Sequence, residues 1–184
     1  MRIVGGRFKG MALATPKGSG TRPTSDRLRE TIFNILAHGF DDAVTGARVL
    51  DLFAGTGALG LEAMSRGANN CLFVDEAVEP RGLMRRNIEA MGLTGATKIF
   101  RRDATRLGSA GTIPPFDLVF LDPPYRLGLG EKALRAARDG NWLQEDALCL
   151  LEEDAKAEIS VPDGFELVDQ RKSGDSQIVI LRAS

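Results

Sequence analysis

Asp51-Leu52-Phe53-Ala54-Gly55-Thr56-Gly57-Ala58-Leu59-Gly60 is the stretch on which the fold turns. Gly55, Gly57 and Gly60 fit the pattern G-x-G-x-x-G. Their setting gives the match its meaning: the apolar run Arg48–Leu52 before them reads as a buried strand, and residues 58–66 after them as a helix. Glycines at such a junction let the backbone turn sharply and approach a ligand. The unpaired N–H groups at the helix start favour a carboxylate or a phosphate. A ligand is therefore expected on this loop.

Working outward, Asp75 stands 20 residues beyond Gly55, at the end of a second apolar run over residues 71–74. A carboxylate there can accept two hydrogen bonds from a ribose diol, so the ligand is expected to contain an adenosine. Glu76 follows directly and takes that role if the strand runs one residue longer, because successive side chains alternate faces. Asp103, read as ending a third strand over residues 98–101, brings another carboxyl to the same edge for the adenine amino group, with Ala104 beside it.

The rhythm from Gly46 onward is that of βαβ units. Residues 78–91 read as a helix ended by Gly92, Phe116–Leu121 as a fourth strand, residues 131–139 as a helix and residues 148–152 as a fifth strand. Residues 165–171 and 177–182 form a closing hairpin around Ser173-Gly174-Asp175. The expectation is an α/β fold: a mostly parallel seven-stranded sheet, helices on both faces and a C-terminal antiparallel hairpin. Ahead of it, Gly5, Gly6, Gly10, Gly18 and Gly20 with alternating Ile3, Phe8, Met11 and Leu13 suggest a short basic β-hairpin and loop. Thr24-Ser25-Asp26 offers N-caps for a helix over residues 27–37, with Leu28, Ile32, Ile35 and Leu36 on one face. One domain over residues 1–184 is expected, divided into an arm (1–23) and a Rossmann-like core (24–184).

Composition agrees with one such unit. A chain of 184 residues, 43% apolar and 27% charged, can bury about 70% of its unfolded surface. The 24 basic and 25 acidic side chains give a net charge of −1, which excludes a polybasic coat or membrane binder. Charge is nevertheless polarised. Residues 1–29 hold seven Lys or Arg against Asp26, and residues 141–163 hold seven acids against Lys156. No apolar run nears the ~18 residues of a membrane span, and the first 20 residues lack a secretion signal, so a cytoplasmic protein is expected. Cys71 and Cys149 have no C-x-x-C neighbour and read as buried thiols. His38, the single histidine, reads as a helix-end residue. Neither a metal site nor a Ser-His-Asp triad is expected.

The glycine loop alone leaves two classes open, nicotinamide dehydrogenases and S-adenosylmethionine-dependent methyltransferases. Asp51 within the strand, followed by Phe53-Ala54-Gly55-Thr56-Gly57, looks more like the methyltransferase form. Asp122-Pro123-Pro124-Tyr125, after the fourth strand, decides between them. Two prolines fix φ and remove two backbone donors, leaving a stiff turn with carbonyls free to accept. An exocyclic nucleobase amine supplies the matching N–H groups. Accepting them on the Asp122 carboxylate and the Pro123 carbonyl localises the nitrogen lone pair, while Tyr125 stacks on the unstacked base.

With both motifs in place, the chain resembles the RsmD-type family of small-subunit ribosomal RNA guanine-N2 methyltransferases, which have the class I Rossmann-like fold. Residues 1–10, Met-Arg-Ile-Val-Gly-Gly-Arg-Phe-Lys-Gly, and residues 22–30, Arg-Pro-Thr-Ser-Asp-Arg-Leu-Arg-Glu, carry the likeness furthest. Adenine-N6 DNA enzymes share D-P-P-Y but lack this opening. The resemblance implies S-adenosyl-L-methionine as cofactor and the guanine at position 966 of 16S rRNA, free or in the small-subunit particle, as substrate of a monomeric enzyme. It places Asp51, Phe53, Gly55, Thr56, Gly57, Asp75, Glu76, Asp103 and Ala104 at the cofactor. Asp122, Pro123, Pro124 and Tyr125 fall at the base, Arg22 and Thr24 beside the methionine end, and Arg2, Arg7, Lys9, Lys17 and Arg22 on RNA. Two departures stand out: Asp75 where relatives often carry Glu, and Ser173 where they commonly carry an aromatic residue. The rivals are another nucleobase-amine methyltransferase, an NAD-dependent oxidoreductase and a non-catalytic RNA-binding module.

Overall fold

A computed structural model describes residues 1–17 and 24–184. Its elements are α1 (Asp26–Gly39), β1 (Arg48–Leu52), α2 (Ala58–Ser65), β2 (Asn70–Val74), α3 (Val78–Ala90), β3 (Thr97–Phe100), β4 (Phe116–Leu121), α4 (Leu129–Asp139), β5 (Leu143–Asp154), β6 (Phe165–Ser173) and β7 (Ser176–Ala183). The seven strands lie in the order β3-β2-β1-β4-β5-β7-β6. Every pairing from β3 to β5 is parallel, and β7 runs antiparallel to both β5 and β6. Strand order reverses between β1 and β4, and it is outside the carboxyl ends at such a switch point that open α/β sheets bind ligands.

Period-two alternation divides the apolar residues between two cores. Val49, Phe73, Leu118, Phe120, Leu148, Leu150, Ile178 and Ile180 face one way, against Ile32, Phe33 and Leu36 of α1, Leu61 of α2 and Met84 of α3. Leu50, Leu52, Val74, Val119, Leu121, Cys149, Leu151 and Val179 face the other, against Ala133, Leu134 and Ala137 of α4 and Trp142. Both cysteines are free and buried, and His38 sits in the last turn of α1.

Most boundaries move by one or two residues, Ser173 joining β6 so that Gly174 and Asp175 alone make the turn, and three differences from the sequence reading are larger. Strand β5 begins at Leu143 rather than Leu148: Phe116 pairs with Leu143 and Leu118 with Leu148, so the polar residues between loop out, with Asp146 at φ 64°. A charged bulge hides the first half of that strand from any hydrophobicity pattern. Strand β3 ends at Phe100, so Asp103 does not close a strand; it caps a 3-10 turn over Ala104–Arg106, its Oδ1 accepting from the Thr105 amide at 2.9 Å. The N-terminal arm forms one isolated antiparallel bridge, Arg2 to Ala12, rather than a hairpin of named strands.

That arm is nonetheless built into the fold. Ile3 and Leu13 are buried in the same cluster as α1 and α2. Both carboxylate oxygens of Glu62 on α2 accept backbone amides, from Val4 and from Gly5, each at 2.9 Å. Ser65 accepts from the Phe8 amide at 3.0 Å, and Asn87 on α3 accepts from Ala14 at 2.7 Å. Glu62 and Arg29 are both fully buried, with Arg29 Nε 3.6 Å from Glu62 Oε1, and Arg66 Nε lies 2.9 Å from Glu62 Oε2. This glycine-rich segment satisfies its backbone partly on itself, with the Ile3 amide donating to the Met11 carbonyl and the Leu13 amide to the Met1 carbonyl, each at 2.9 Å, and partly on side chains of the core. Among the described residues, no helix is long and apolar enough to cross a membrane.

Candidate active site

The alternation that fills the first core with Val49, Phe120, Leu150 and Ile178 carries a different set of residues to the carboxyl edge of the same face. Two residues past Val49 comes Asp51, two past Phe120 comes Asp122, two past Leu150 comes Glu152, and two before Ile178 comes Ser176. Thr24, just ahead of α1, closes over this row. Its hydroxyl donates to Asp122 Oδ2 at 2.7 Å and also lies 3.3 Å from Glu152 Oε2. Tyr125 donates its phenol to Glu152 Oε1 at 2.6 Å and stands 2.9 Å from the Ser176 hydroxyl. Thus Asp122, Tyr125 and Thr24 are tied to one buried acid on β5.

Burial pushes two carboxyls of this row, those of Asp122 and Asp51, up. The Asp122 carboxyl sits well above the ordinary carboxylate value, first because of burial and then because of the negative charge of Glu152 and their mutual hydrogen bond; the Thr24 hydroxyl works the other way. Asp51 is also raised well above that value, by burial and then by the charge of Asp75, against the Gly60 amide it accepts at 3.0 Å. The glycine at 60 is a packing requirement, since a Cβ there would stand 2.4 Å from Phe73 Cε1 and 2.7 Å from Cys71 Sγ. Asp51 and Gly60 therefore pin the start of α2 to the sheet, leaving the loop above it fixed.

In front of the row opens a crevice of about 560 Å³, lined by Phe53, Gly55, Asp75, Glu76, Asp103, Ala104, Asp122, Pro123, Pro124, Tyr125 and Glu152 among others. A recess of about 80 Å³ beside it is lined by Thr24, Asp51, Phe53, Gly55, Thr56 and Asp122 among others. The expected cofactor and base residues thus reach one cleft, apart from Gly57, which lies behind the loop as the left-handed N-cap of α2 (φ 81°), and Arg22, which lies outside the described residues. Asp75 differs in role from a free diol acceptor: Oδ2 accepts the Gly55 amide and Oδ1 the Ala77 amide, both at 2.9 Å. Glu76 is exposed on the same wall. Asp75 therefore braces the glycine loop, and Glu76 is the exposed carboxylate next to it on the crevice wall.

The cleft accommodates an adenosine-bearing cofactor. A Cβ added to Gly55 would meet no protein atom within 4 Å, so the backbone here faces open crevice. Acids line the adjoining wall, as hydroxyl and amine donors require. The sequence reading missed Glu152, Ser176 and Glu62. Glu152 is in phase with Leu148 and Leu150 on the buried half of β5, but in the sequence it opens the acidic run Glu152-Glu153-Asp154. On the arm, Arg2, Arg7, Lys9 and Lys17 are exposed, with the Arg7 guanidinium 4.6 Å above the Phe8 ring.

A reversed-order parallel sheet with an antiparallel C-terminal pair, a glycine loop after β1, acids after β2 and D-P-P-Y after β4 defines a class I methyltransferase. The family model described as Conserved hypothetical protein 95 matches residues 1–182, and the chain belongs to that family. It is 36% identical over 177 residues to Ribosomal RNA small subunit methyltransferase D of Escherichia coli (strain K12), covering 95% of this chain and 85% of that protein. Over 121 residues it is 36% identical to the tRNA (guanine(6)-N2)-methyltransferase of Thermus thermophilus, covering 60% of this chain and 35% of that one. A solved Escherichia coli structure described as a candidate methyltransferase, yhhF, superposes with a TM-score of 0.83 at 32% identity, covering 100% of this chain and 97% of its own.

Proposed function

We propose that this chain methylates the exocyclic N2 amine of a guanine in 16S rRNA, using S-adenosyl-L-methionine, in the cytoplasm and as a monomer. The observation that carries the reading is the position of the D-P-P-Y corner: Asp122 and Pro123 stand at the switch-point crevice, within one cleft with the glycine loop and Glu76. When bound there, S-adenosyl-L-methionine supplies a methyl group already activated by the sulfonium charge. Each remaining task falls to side chains. Glu76 and Asp103 accept from the ribose and the adenine amine, the Gly55 backbone borders the methionine end, and Asp75 and Asp51 hold the loop still.

On the other side, the Asp122 carboxylate and the Pro123 carbonyl accept the hydrogens of the amine and orient its lone pair. Positioning of this kind can supply about 7 to 11 kcal/mol of a bimolecular barrier. The Tyr125 ring, held by its phenol at 2.6 Å from Glu152, presents a fixed face for the extruded base with exposed Pro124 beside it. The cations of the docked arm contact phosphates. Membership of the family, and the printed activities of the two relatives, favour guanine N2 in ribosomal RNA over an adenine amine.

The deciding experiment is transfer of labelled methyl to 16S rRNA and to small-subunit particles, followed by nucleoside analysis. N2-methylguanosine is expected with the wild type. Asp122→Ala should lose about 100-fold or more in turnover while keeping its calorimetric affinity for S-adenosylhomocysteine. Label on adenine, or equal turnover in Asp122→Ala, overturns the assignment.

A further inference from the structure

Methylating an amine forms a bond from the nitrogen lone pair to carbon and leaves the carbon–sulfur pair on sulfur. It also breaks one N–H bond, whose electrons stay on nitrogen and whose proton must be taken up. Asp122 is the acceptor at the corner, but it does not stand alone. Behind it Glu152, only 3% exposed, occupies a position that hydrophobic alternation on β5 would otherwise fill, opposite Ile178 of β7. Hydroxyls of Thr24, Tyr125 and Ser176 hydrogen-bond this acid and offset its burial, and one of them, Thr24, also holds Asp122.

We propose that Glu152 is a positioning residue for proton uptake: joined to Asp122 through the Thr24 hydroxyl and on the same face of the sheet, it strengthens Asp122 as the acceptor of the proton released by the amine. The proton passes from nitrogen to the Asp122 carboxylate and leaves through the crevice after the product departs. The inference rests on the methyltransferase reading above.

Several groups face this pair. Glu152 on β5 and Asp51 on β1 both add negative charge at Asp122, and the Thr24 hydroxyl opposes them. From α1, Arg29 donates to the Thr24 carbonyl at 2.8 Å rather than to either carboxyl, and its charge is met by Asp26 and Glu62. Tyr125 and Ser176 of β7 hydrogen-bond to Glu152 Oε1, at 2.6 and 3.3 Å. Acceptor strength at Asp122 is thus raised from one side by Glu152 and lowered from the other by Thr24. The two influences have opposite sign, which makes them separable.

The test is kcat against pH for methyl transfer to 16S rRNA. Glu152→Gln keeps the side-chain volume and an acceptor for Tyr125 but removes the charge. Its acid limb should move to lower pH and its plateau kcat should fall about 10-fold, part of what acid–base participation supplies. Thr24→Val should move the limb to higher pH, and Thr24→Ser should return it. A packing defect would lower kcat at every pH without moving the limb, and calorimetry with S-adenosylhomocysteine reports whether each variant folds. Coincident limbs in wild type and Glu152→Gln overturn the inference, as do shifts of one sign in both variants. Should Glu152→Gln not fold, Glu152→Leu, which puts an apolar side chain opposite Ile178, reads the same limb: a shift to lower pH supports the inference, and an unmoved limb refutes it. A wild type that methylates no RNA removes the reading underneath, a result distinct from a wild type that is active with an unmoved limb.

Discussion

Replacing Glu62 by Gln tests whether the N-terminal arm is part of the folded core. The Glu62 carboxylate is fully buried; it accepts from the Val4 and Gly5 amides and from Arg66 Nε, each at 2.9 Å, and Arg29 Nε stands 3.6 Å away as an ion-pair contact. Gln keeps one acceptor oxygen and places an amide N–H₂ against the remaining donors. Buried donors left without acceptors cost about 1–3 kcal/mol each, and removing one member of a buried ion pair about 3–5 kcal/mol. These costs overlap, because Arg29 retains Asp26 at 2.7 Å, so the expected loss is about 3–5 kcal/mol in all. Against a total stability of about 5–15 kcal/mol that is a large fraction. Thermal unfolding should show a drop in Tm of about 6–20 °C at this chain length. Urea unfolding should give the same loss through the midpoint, with faster amide exchange at Val4 and Gly5. A loss below about 1 kcal/mol, the value of an exposed pair, would refute the argument that Glu62 anchors the arm.

Two further outcomes follow from charge. Asp51 and Asp122 hold protons in the folded chain that the unfolded chain releases near 3.8, so folding stability falls as pH rises from there through their raised folded values. Asp122→Asn should therefore raise Tm at neutral pH and flatten that decline while abolishing most turnover; a lower neutral Tm in the variant would contradict it. On the arm, Arg7→Ala with Lys9→Ala should weaken RNA binding and reduce the slope of log K against log salt by about 1.4–1.8, with cofactor affinity retained. An unchanged slope would take the arm off the RNA.

What the sequence makes legible is what local chemistry governs. Strands β1 and β4 agree residue for residue with their mostly apolar runs, because a parallel strand covered on both faces is built largely of apolar residues, Asp51 and the exposed Asp117 being the exceptions within them. The glycine loop and D-P-P-Y are readable because backbone geometry restricts those positions to Gly and Pro. What stays hidden depends on partners distant in the chain. Nothing near Asp75 announces that its two oxygens are taken by the Gly55 and Ala77 amides, leaving Glu76 toward the crevice. Glu152 looks like the first member of an acidic run, and only its register beside β4 and β7 shows it standing behind Asp122. The arm reads as a basic segment, yet its backbone is satisfied by Glu62, Ser65 and Asn87, on helices 50 or more residues away in the chain.

Arg29 connects these two hidden features. Its buried guanidinium donates to the Arg2 carbonyl on the arm and to the Thr24 carbonyl at 2.8 Å, and it faces Glu62 on α2. Thr24 in turn places its hydroxyl 2.7 Å from Asp122. One cation thus spans the path from the docked arm to the D-P-P-Y corner. A fork of five fixed donors suits that task better than the mobile point charge of a lysine. The arm is consequently continuous, through Arg29, with the threonine that hydrogen-bonds Asp122. Loss of its docking at Glu62 would therefore reach the carboxylate row as well as the arm itself.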